Sequence, residues 1–156
     1  MSNANIDTAL SAVSRKQPIS TEDYARILAG INLTKLSLID CQVKADNMAT
    51  QECLSRHGNL PLVVKEKASF DMQDGIALVR HGYYLSSKDK NKVLMSIKAD
   101  YLLIFETSET FTEDFFEVFK CIALPVFTWS YFRELADSMT SRMDFPRLVL
   151  PLWRQQ

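Results

Sequence analysis

The segment from residue 92 to residue 106 alternates at every second position, and this pattern constrains the fold more than any other feature of the chain. Its odd positions are all apolar: Val93, Met95, Ile97, Ala99, Tyr101, Leu103 and Phe105. Successive side chains of a β-strand point to opposite faces of a sheet, so the alternation predicts one long strand with an apolar face. Other elements must cover that face.

Two more strands are predicted immediately before this one. Residues 62–72 carry apolar side chains at most of their even positions, as a half-buried strand does. Asp74-Gly75 is a dipeptide favoured in tight hairpins, and it predicts a turn into a strand over residues 76–85. The polar residues 86–91 are expected to form the next hairpin loop.

An earlier strand is predicted from Asn32 to Val43. Its apolar positions change parity between Leu38 and Ile39, which is typical of a β-bulge. The following residues, 44–59, are polar and only weakly periodic, so they are expected to form a connection that could include one helical turn.

Helices are predicted near both ends of the chain. Ser20 or Thr21 caps a short helix that stops near Gly30, and Thr112 caps a second helix with acids in its first turn. Pro125 is expected to interrupt that second helix, because proline has no N–H group to donate.

The last helix is predicted from about Ser130 to Met143. Phe145-Pro146 ends it, and residues 148–150 suggest a short extended tail. Four strands in meander order followed by helices predict an α+β domain, with the C-terminal helices packed on one face of an antiparallel sheet. Residues 20–156 form this single domain, and residues 1–19 are expected to be a mobile N-terminal arm.

The composition limits the classes of function. The chain has 156 residues, 47% of them hydrophobic, and a net charge of −1, which argues against nucleic acid as a partner. There is no apolar run long enough to span a bilayer and no apolar leader, so direct membrane insertion is not expected and the predicted location is cytoplasmic.

The sequence offers no catalytic or metal motif. Its three cysteines are widely spaced and are expected to be reduced thiols of the core. Cys53 and His57 are four residues apart and share a helical face, but two ligands do not make a zinc site, so the spacing is interpreted as coincidence. No enzyme activity, metal or cofactor is therefore predicted.

The C-terminal region, residues 125–153, contains two distinctive blocks. The first is WSYFRE at Trp129 to Glu134, and the second is made of Ser141, Arg142, Phe145, Pro146, Leu148 and Leu150. Together they resemble the C-terminal signature of the SecB family of export chaperones. The first block keeps an aromatic residue, tyrosine, arginine and glutamate of the family pattern, and the second keeps nearly all of its residues at the family spacing. Weaker similarity extends upstream to Thr34-Lys35.

The resemblance implies an ATP-independent holdase that binds unfolded or aggregation-prone polypeptides in apolar grooves and assembles as a dimer or a dimer of dimers. The candidate client-binding residues are Leu62, Val64, Trp129, Tyr131 and Phe132. Trp129 and Tyr131 could equally be core or subunit-interface residues. Structural roles are expected for the remaining signature residues, Arg133, Glu134, Arg142, Phe145 and Pro146.

Two departures from the family bear on its partner, the motor protein SecA, which SecB contacts through the outer faces of its first and fourth strands. Asp40 keeps one acid of that patch, whereas Leu36, Ser96 and Lys98 replace an acid, a leucine and a glutamate. A charge reversal at such a patch weakens docking. The family also continues into another helix and an acidic tail, whereas this sequence ends at Gln156.

These departures make SecA a doubtful partner and leave three functions open. One is a holdase for secretory precursors in protein export. Another is a dedicated chaperone of a toxin–antitoxin pair, a role that SecB-like proteins also have. The third is a non-catalytic interaction or scaffold protein with the same fold.

Overall fold

The computed structural model describes residues 19–153, which form four helices and four strands. In chain order these are α1 (Thr21–Ala29), β1 (Ile31–Ala45), α2 (Asn47–His57), β2 (Leu62–Gln73), β3 (Ile76–Asp89), β4 (Lys92–Thr107), α3 (Glu113–Ile122) and α4 (Leu124–Arg142). The predicted arm, residues 1–19, lies outside the described residues except for Ile19, which packs against the core.

The four strands form one antiparallel sheet in the order β1-β4-β3-β2. The predicted α+β class and four-stranded antiparallel sheet are confirmed. Strands β2, β3 and β4 are a meander, but β1 lies beside β4 instead of β2, so the predicted order is wrong at this strand. The connection from β1 to β2 contains a helix, and a connection of this length carries the chain to the opposite edge of the sheet.

The two hairpins of the meander turn tightly. Asp74 and Gly75 both have positive φ, 48° and 78°, as the Asp-Gly signal predicts. The second hairpin turns at Lys90, also with positive φ, so most of the loop predicted over residues 86–91 is strand. Ser86 and Ser87 are polar, but they are buried and pair with β4, and this pairing extends the strand beyond its apolar pattern.

The bulge predicted in β1 is confirmed. The pairing of β1 with β4 shifts register between Leu38 and Asp40, at the parity change seen in the sequence. A second shift, between Leu33 and Lys35, was not predicted. There the hydroxyl of Thr34 donates to the carbonyl oxygen of Ile104 at 3.1 Å.

Helix α2 occupies most of the segment that was predicted to be a connection. The Asp46 side chain caps it by accepting from the Ala49 N–H at 2.9 Å, and Gly58 ends it with φ 73°. Its apolar periodicity is weak because only a short inward face is buried: Ala49, Thr50 and Cys53. Of these, Ala49 and Cys53 cluster with Leu94 of β4.

Helix α3 begins where predicted, with the Thr112 hydroxyl accepting from the Phe115 N–H at 3.2 Å. Helix α4 begins at Leu124, earlier than the predicted Ser130, because Pro125 lies in its first turn, where an N–H group needs no helical partner. No single helix of the described part is long and apolar enough to cross a membrane. The α3–α4 pair passes that test only jointly, and it is bent by 42°.

Helices α3 and α4 cover one face of the sheet, called here the helix-side face. Strands β3 and β4 contribute buried odd-numbered residues to it, and Phe105 of β4 contacts Phe119 of α3 edge to face. Helix α1 joins the same core, with the Tyr24 ring 5.1 Å from that of Phe115. The opposite face, the outer face, is only partly buried and mixes charged with apolar residues.

Candidate polypeptide-binding surface

Helix α4 contacts the sheet through a row of buried residues spaced four apart: Leu124, Thr128, Phe132, Ala136 and Thr140. Phe132 has no exposed surface, and its ring stacks on Tyr83 at a centroid distance of 4.6 Å. The prediction that Phe132 contacts clients is therefore wrong. Its aromatic character serves the packing of α4 on β3.

Trp129 and Tyr131 lie on opposite flanks of α4, because residues advance by about 100° each around a helix. The ring of Trp129 is half-buried, 5.5 Å from Tyr83 and 5.9 Å from Trp153. Its indole N–H donates to the Pro151 carbonyl oxygen at 2.8 Å. Tyr131 is 55% exposed. The two residues cannot belong to one continuous contact surface on the helix.

Residues 145–153, called here the tail, lie along the Trp129 flank. Arg133 donates from Nε to the Leu150 carbonyl oxygen, and the Arg147 guanidinium pairs with Asp137 at 2.6 Å. The tail contains no helix or strand, but Phe145, Leu148 and Leu150 are buried in the core. This explains the spacing of the second signature block, whose apolar residues close the core.

Three further residues of the signature are Glu134, Arg142 and Pro146. Glu134 is exposed, and its negative charge is one of the factors that raise the pKa of Tyr101, after burial of that phenol. Arg142 is exposed at the last position of α4, where a positive charge suits the helix dipole. Pro146 is half-buried and begins the tail after the helix has ended.

Leu62 and Val64 lie on the helix-side face of β2, an edge strand of the sheet. Leu62 is half-buried, whereas Val64 is 39% exposed. Val64 pairs with Leu85, the next helix-side position on β3 after Tyr83, against which Trp129 packs. The edge strand and the Trp129 flank are therefore close together.

Leu152 extends this region in the tail, where it is 66% exposed between the two residues that contact Trp129. We call this region the β2-side surface. It is made of three structural elements, a strand, a helix and the tail. Its members are Leu62, Val64, Trp129, Leu152 and Trp153.

A second apolar region lies near the other edge strand. Leu38 and Ile39 of β1 are 44% and 45% exposed, at the bulge. Leu38 pairs with Tyr101 of β4 and therefore lies on the helix-side face. Tyr131 is exposed on the flank of α4 opposite Trp129, the flank that is farther from β2. Leu38, Ile39 and Tyr131 together are called here the β1-side surface.

The predicted docking patch is only partly assembled. Asp40 and Lys98 lie on the outer face, where Lys98 Nζ contacts Asp40 at 3.1 Å and Asp100 at 3.2 Å. The hydrogen bond from Lys98 to Asp40 is the main cause of the raised pKa of this lysine. Ser96 lies further along the same face. Leu36 instead pairs with Leu103 and packs on the core from the helix side, so it does not belong to this patch.

A buried polar network beneath α4 was not predicted. The Thr128 hydroxyl lies 2.8 Å from both His81 Nδ1 and the Tyr83 hydroxyl, and His81 Nε2 lies 3.3 Å from Glu66. Burial is the main cause of the raised pKa of Tyr83. One feature of the sequence could have indicated this network: His81 is a polar residue in the otherwise apolar series of odd positions in β3. The network joins β2, β3 and α4 under the β2-side surface.

These features, a four-stranded antiparallel sheet with helices on one face and a tail along the last helix, can be compared with solved structures. The SecB-like chaperone Rv1957 of Mycobacterium tuberculosis, in complex with a ChAD peptide from the antitoxin HigA1 (Rv1956), aligns with a TM-score of 0.69. The alignment covers 86% of this chain and 99% of that chain. The chain has a SecB-like fold.

The likeness is one of structure much more than of sequence, because only 15% of the aligned residues are identical. A protein of unknown function from Streptococcus agalactiae aligns with a TM-score of 0.43 and 12% identity, covering 78% of this chain and 97% of that chain. No protein-family model matches the sequence. No curated protein matches it either.

Proposed function

We propose that this protein is a holdase chaperone that binds unfolded or aggregation-prone polypeptides without ATP. The observation that carries the proposal is the β2-side surface, an exposed apolar strip at a sheet edge in a SecB-like fold. Val64 is 39% exposed and Leu152 is 66% exposed, and apolar surface that is exposed in one region often marks a site of contact with other proteins. Its role is non-catalytic.

The chemistry of this surface suits clients of varied sequence. Leucine, valine and tryptophan side chains attract apolar segments without demanding a particular partner. The edge of β2 also offers backbone N–H and C=O groups that have no strand partner among residues 19–153. An extended client could pair with them, which would add affinity that is independent of client sequence.

We further propose that the chain acts as a homo-oligomer, a dimer or a dimer of dimers, in the cytoplasm. The support is the amount of apolar surface outside the β2-side surface: Leu38 and Ile39 are exposed on β1, and Tyr131 is exposed on α4. Open edges and apolar patches of this kind are usually covered by a second subunit. SecA is not proposed as a partner, because Lys98 stands with Asp40 on the outer face.

The test is suppression of aggregation of a chemically unfolded model protein by the purified chain. We expect suppression near stoichiometric amounts, and a several-fold loss in the double variant Val64→Ser/Leu152→Ser. Met48→Ser is the matched control, because Met48 is 80% exposed but lies on α2, outside the β2-side surface. No suppression by the unmodified protein at a molar excess would favour a scaffold role.

Tyr131→Ala tests the β1-side surface in the same assay. If this surface is a subunit interface, light scattering will show a smaller particle. If it binds clients, suppression will weaken while the mass is unchanged.

A dedicated chaperone of a toxin–antitoxin pair is the second candidate. It is favoured by the structural neighbour, which was solved with a peptide from an antitoxin. Breadth of binding separates the two candidates: a general holdase binds several unrelated unfolded proteins with similar affinity, whereas a dedicated chaperone binds one partner much more tightly. Tight binding of SecA and of unfolded secretory precursors would instead support a role in export.

A further inference from the structure

Three metal-ligating side chains meet where α2 approaches the hairpin between β3 and β4. The ligand atoms of Cys53, His57 and Asp89 all lie within 4.8 Å of one another. We propose that these three residues bind a divalent transition metal, with zinc as the expected ion. This site is separate from the β2-side surface and goes beyond the proposed holdase function.

Two different elements build the cluster. Cys53 and His57 are four residues apart on α2, so both side chains project from the same side of the helix. Asp89 is the last residue of β3, immediately before the turn into β4. The Cys53-His57 spacing taken alone indicates coincidence, because the third ligand is distant in sequence. The fold supplies that ligand.

The donor set matches zinc chemistry. A thiolate, an imidazole and a carboxylate are the protein ligands that Zn²⁺ uses, and three of them leave one coordination position for water. Tetrahedral bonds of about 2.0–2.3 Å place ligand atoms about 3.5 Å apart, so the cluster must contract slightly. The His57 side chain is 54% exposed and can make that adjustment.

The local charges also favour a cation. The site is at the C-terminal end of α2, where unpaired carbonyl groups make the potential negative. The Arg56 guanidinium is an opposing charge, and its Nη2 lies 2.7 Å from Asp89 Oδ2, so it engages only one of the two carboxylate oxygens. The other carboxylate oxygen, Oδ1, faces His57 Nε2 at 4.0 Å and is the one that would take the metal.

A bound metal would fix the second end of α2 to the sheet. The first end is already tied to the same hairpin, because Lys92 Nζ contacts Asp46 at 3.0 Å. Cys53 is only 1% exposed and packs with Ala49 and Leu94, so its thiolate would be sheltered from oxidation. On binding, the thiol proton passes to the buffer, and the metal–sulfur bond replaces the S–H bond.

The experiment is a titration of the full-length, chelator-treated protein with Co²⁺, followed by displacement with Zn²⁺. We expect one equivalent to bind, a near-ultraviolet thiolate-to-cobalt absorption band, and a thermal midpoint that rises by several degrees with Zn²⁺. Cys53→Ser should abolish the band. His57→Gln and Asp89→Asn should each weaken binding by at least about 100-fold.

Matched variants control for folding and for the other thiols. Cys41→Ser and Cys121→Ser change exposed free cysteines and should leave the titration unaltered. Arg56→Ala removes a neighbouring charge but no ligand, and binding should persist or tighten. His57→Gln changes an exposed residue, so it gives an answer even if Cys53→Ser fails to fold. Absence of the band, or a band that survives His57→Gln at full affinity, would overturn the proposal.

Discussion

The two flanks of α4 carry similar aromatic residues but have different surroundings. On one flank, Trp129 is half-buried because the tail runs beside it and accepts its indole N–H. On the other, which lies opposite the tail, Tyr131 is more than half exposed. Whether an aromatic residue on this helix is exposed is decided by the chain segment beside it and not by its residue type.

The largest effect on stability is expected for the buried row of α4, which lies between the two flanks. Phe132→Ala should lower the free energy of unfolding by about 3–5 kcal/mol, because it leaves a cavity under α4 and removes the stack on Tyr83. For the single subunit, in which Tyr131 is exposed, Tyr131→Ala should change it by less than about 0.5 kcal/mol. Urea unfolding measures both. Equal effects would mean that Tyr131 is also buried, for example in a subunit interface.

The polar network below the Trp129 flank should give the next largest effect. Thr128→Val leaves the His81 and Tyr83 polar atoms without the hydroxyl between them, and it should cost about 1–3 kcal/mol. Thr128→Ser keeps the hydroxyl and is the control, with a loss limited to one methyl group. Unfolding curves that coincide for the two variants would show that the network does not stabilise the fold.

The attachment of the tail to α4 can be tested through Arg133. Arg133→Met keeps the apolar stem but removes the hydrogen bond to Leu150, so the free energy of unfolding should fall by about 1 kcal/mol. Limited proteolysis should then cut within residues 145–153 several-fold faster. Arg142→Met, at the exposed end of α4, is the control. Unchanged cleavage in the Arg133 variant would show that other contacts hold the tail.

Acid should weaken the attachment of the tail to α4, and this is the smallest of the expected effects. The hydrogen bond from Arg147 is the main cause of the lowered pKa of Asp137. A lowered folded-state pKa contributes stability above the ordinary carboxyl pKa, and this is lost as the pH falls through the folded value. Proteolysis by an acid-active protease should therefore accelerate below about pH 4. Asp137→Asn should remove that dependence, and a slope that persists would point to other carboxyl groups.

Much of the fold could be predicted because its signals are local. The alternation from 92 to 106, the cap at Thr112 and the bulge after Leu38 each depend on a few neighbouring residues. Helix α2 was not predicted because its buried face is short. This face packs against Leu94, which is distant in the sequence. The position of β1 beside β4 also depends on long-range contacts that no local pattern encodes.

The candidate site was harder to predict than the fold. An aromatic pattern such as WSYF predicts that a helix has an apolar side, but not which ring faces the sheet. The structure buries Phe132, half-buries Trp129 and exposes Tyr131. The role of the tail was equally hidden, because its contacts with Arg133 and Asp137 fold the chain back on itself after Pro146.

The placement of β1 beside β4 has a consequence for how the molecule is made. On the ribosome, β1 is the first strand to emerge, yet its pairing partners run from Met95 to Thr107 and are synthesised long afterwards. Until then its leucines have no sheet to join, and closing so large a loop is entropically slow. During synthesis the nascent chain is therefore itself an unfolded polypeptide with exposed apolar residues. Polypeptides of this kind are the proposed clients of the folded protein.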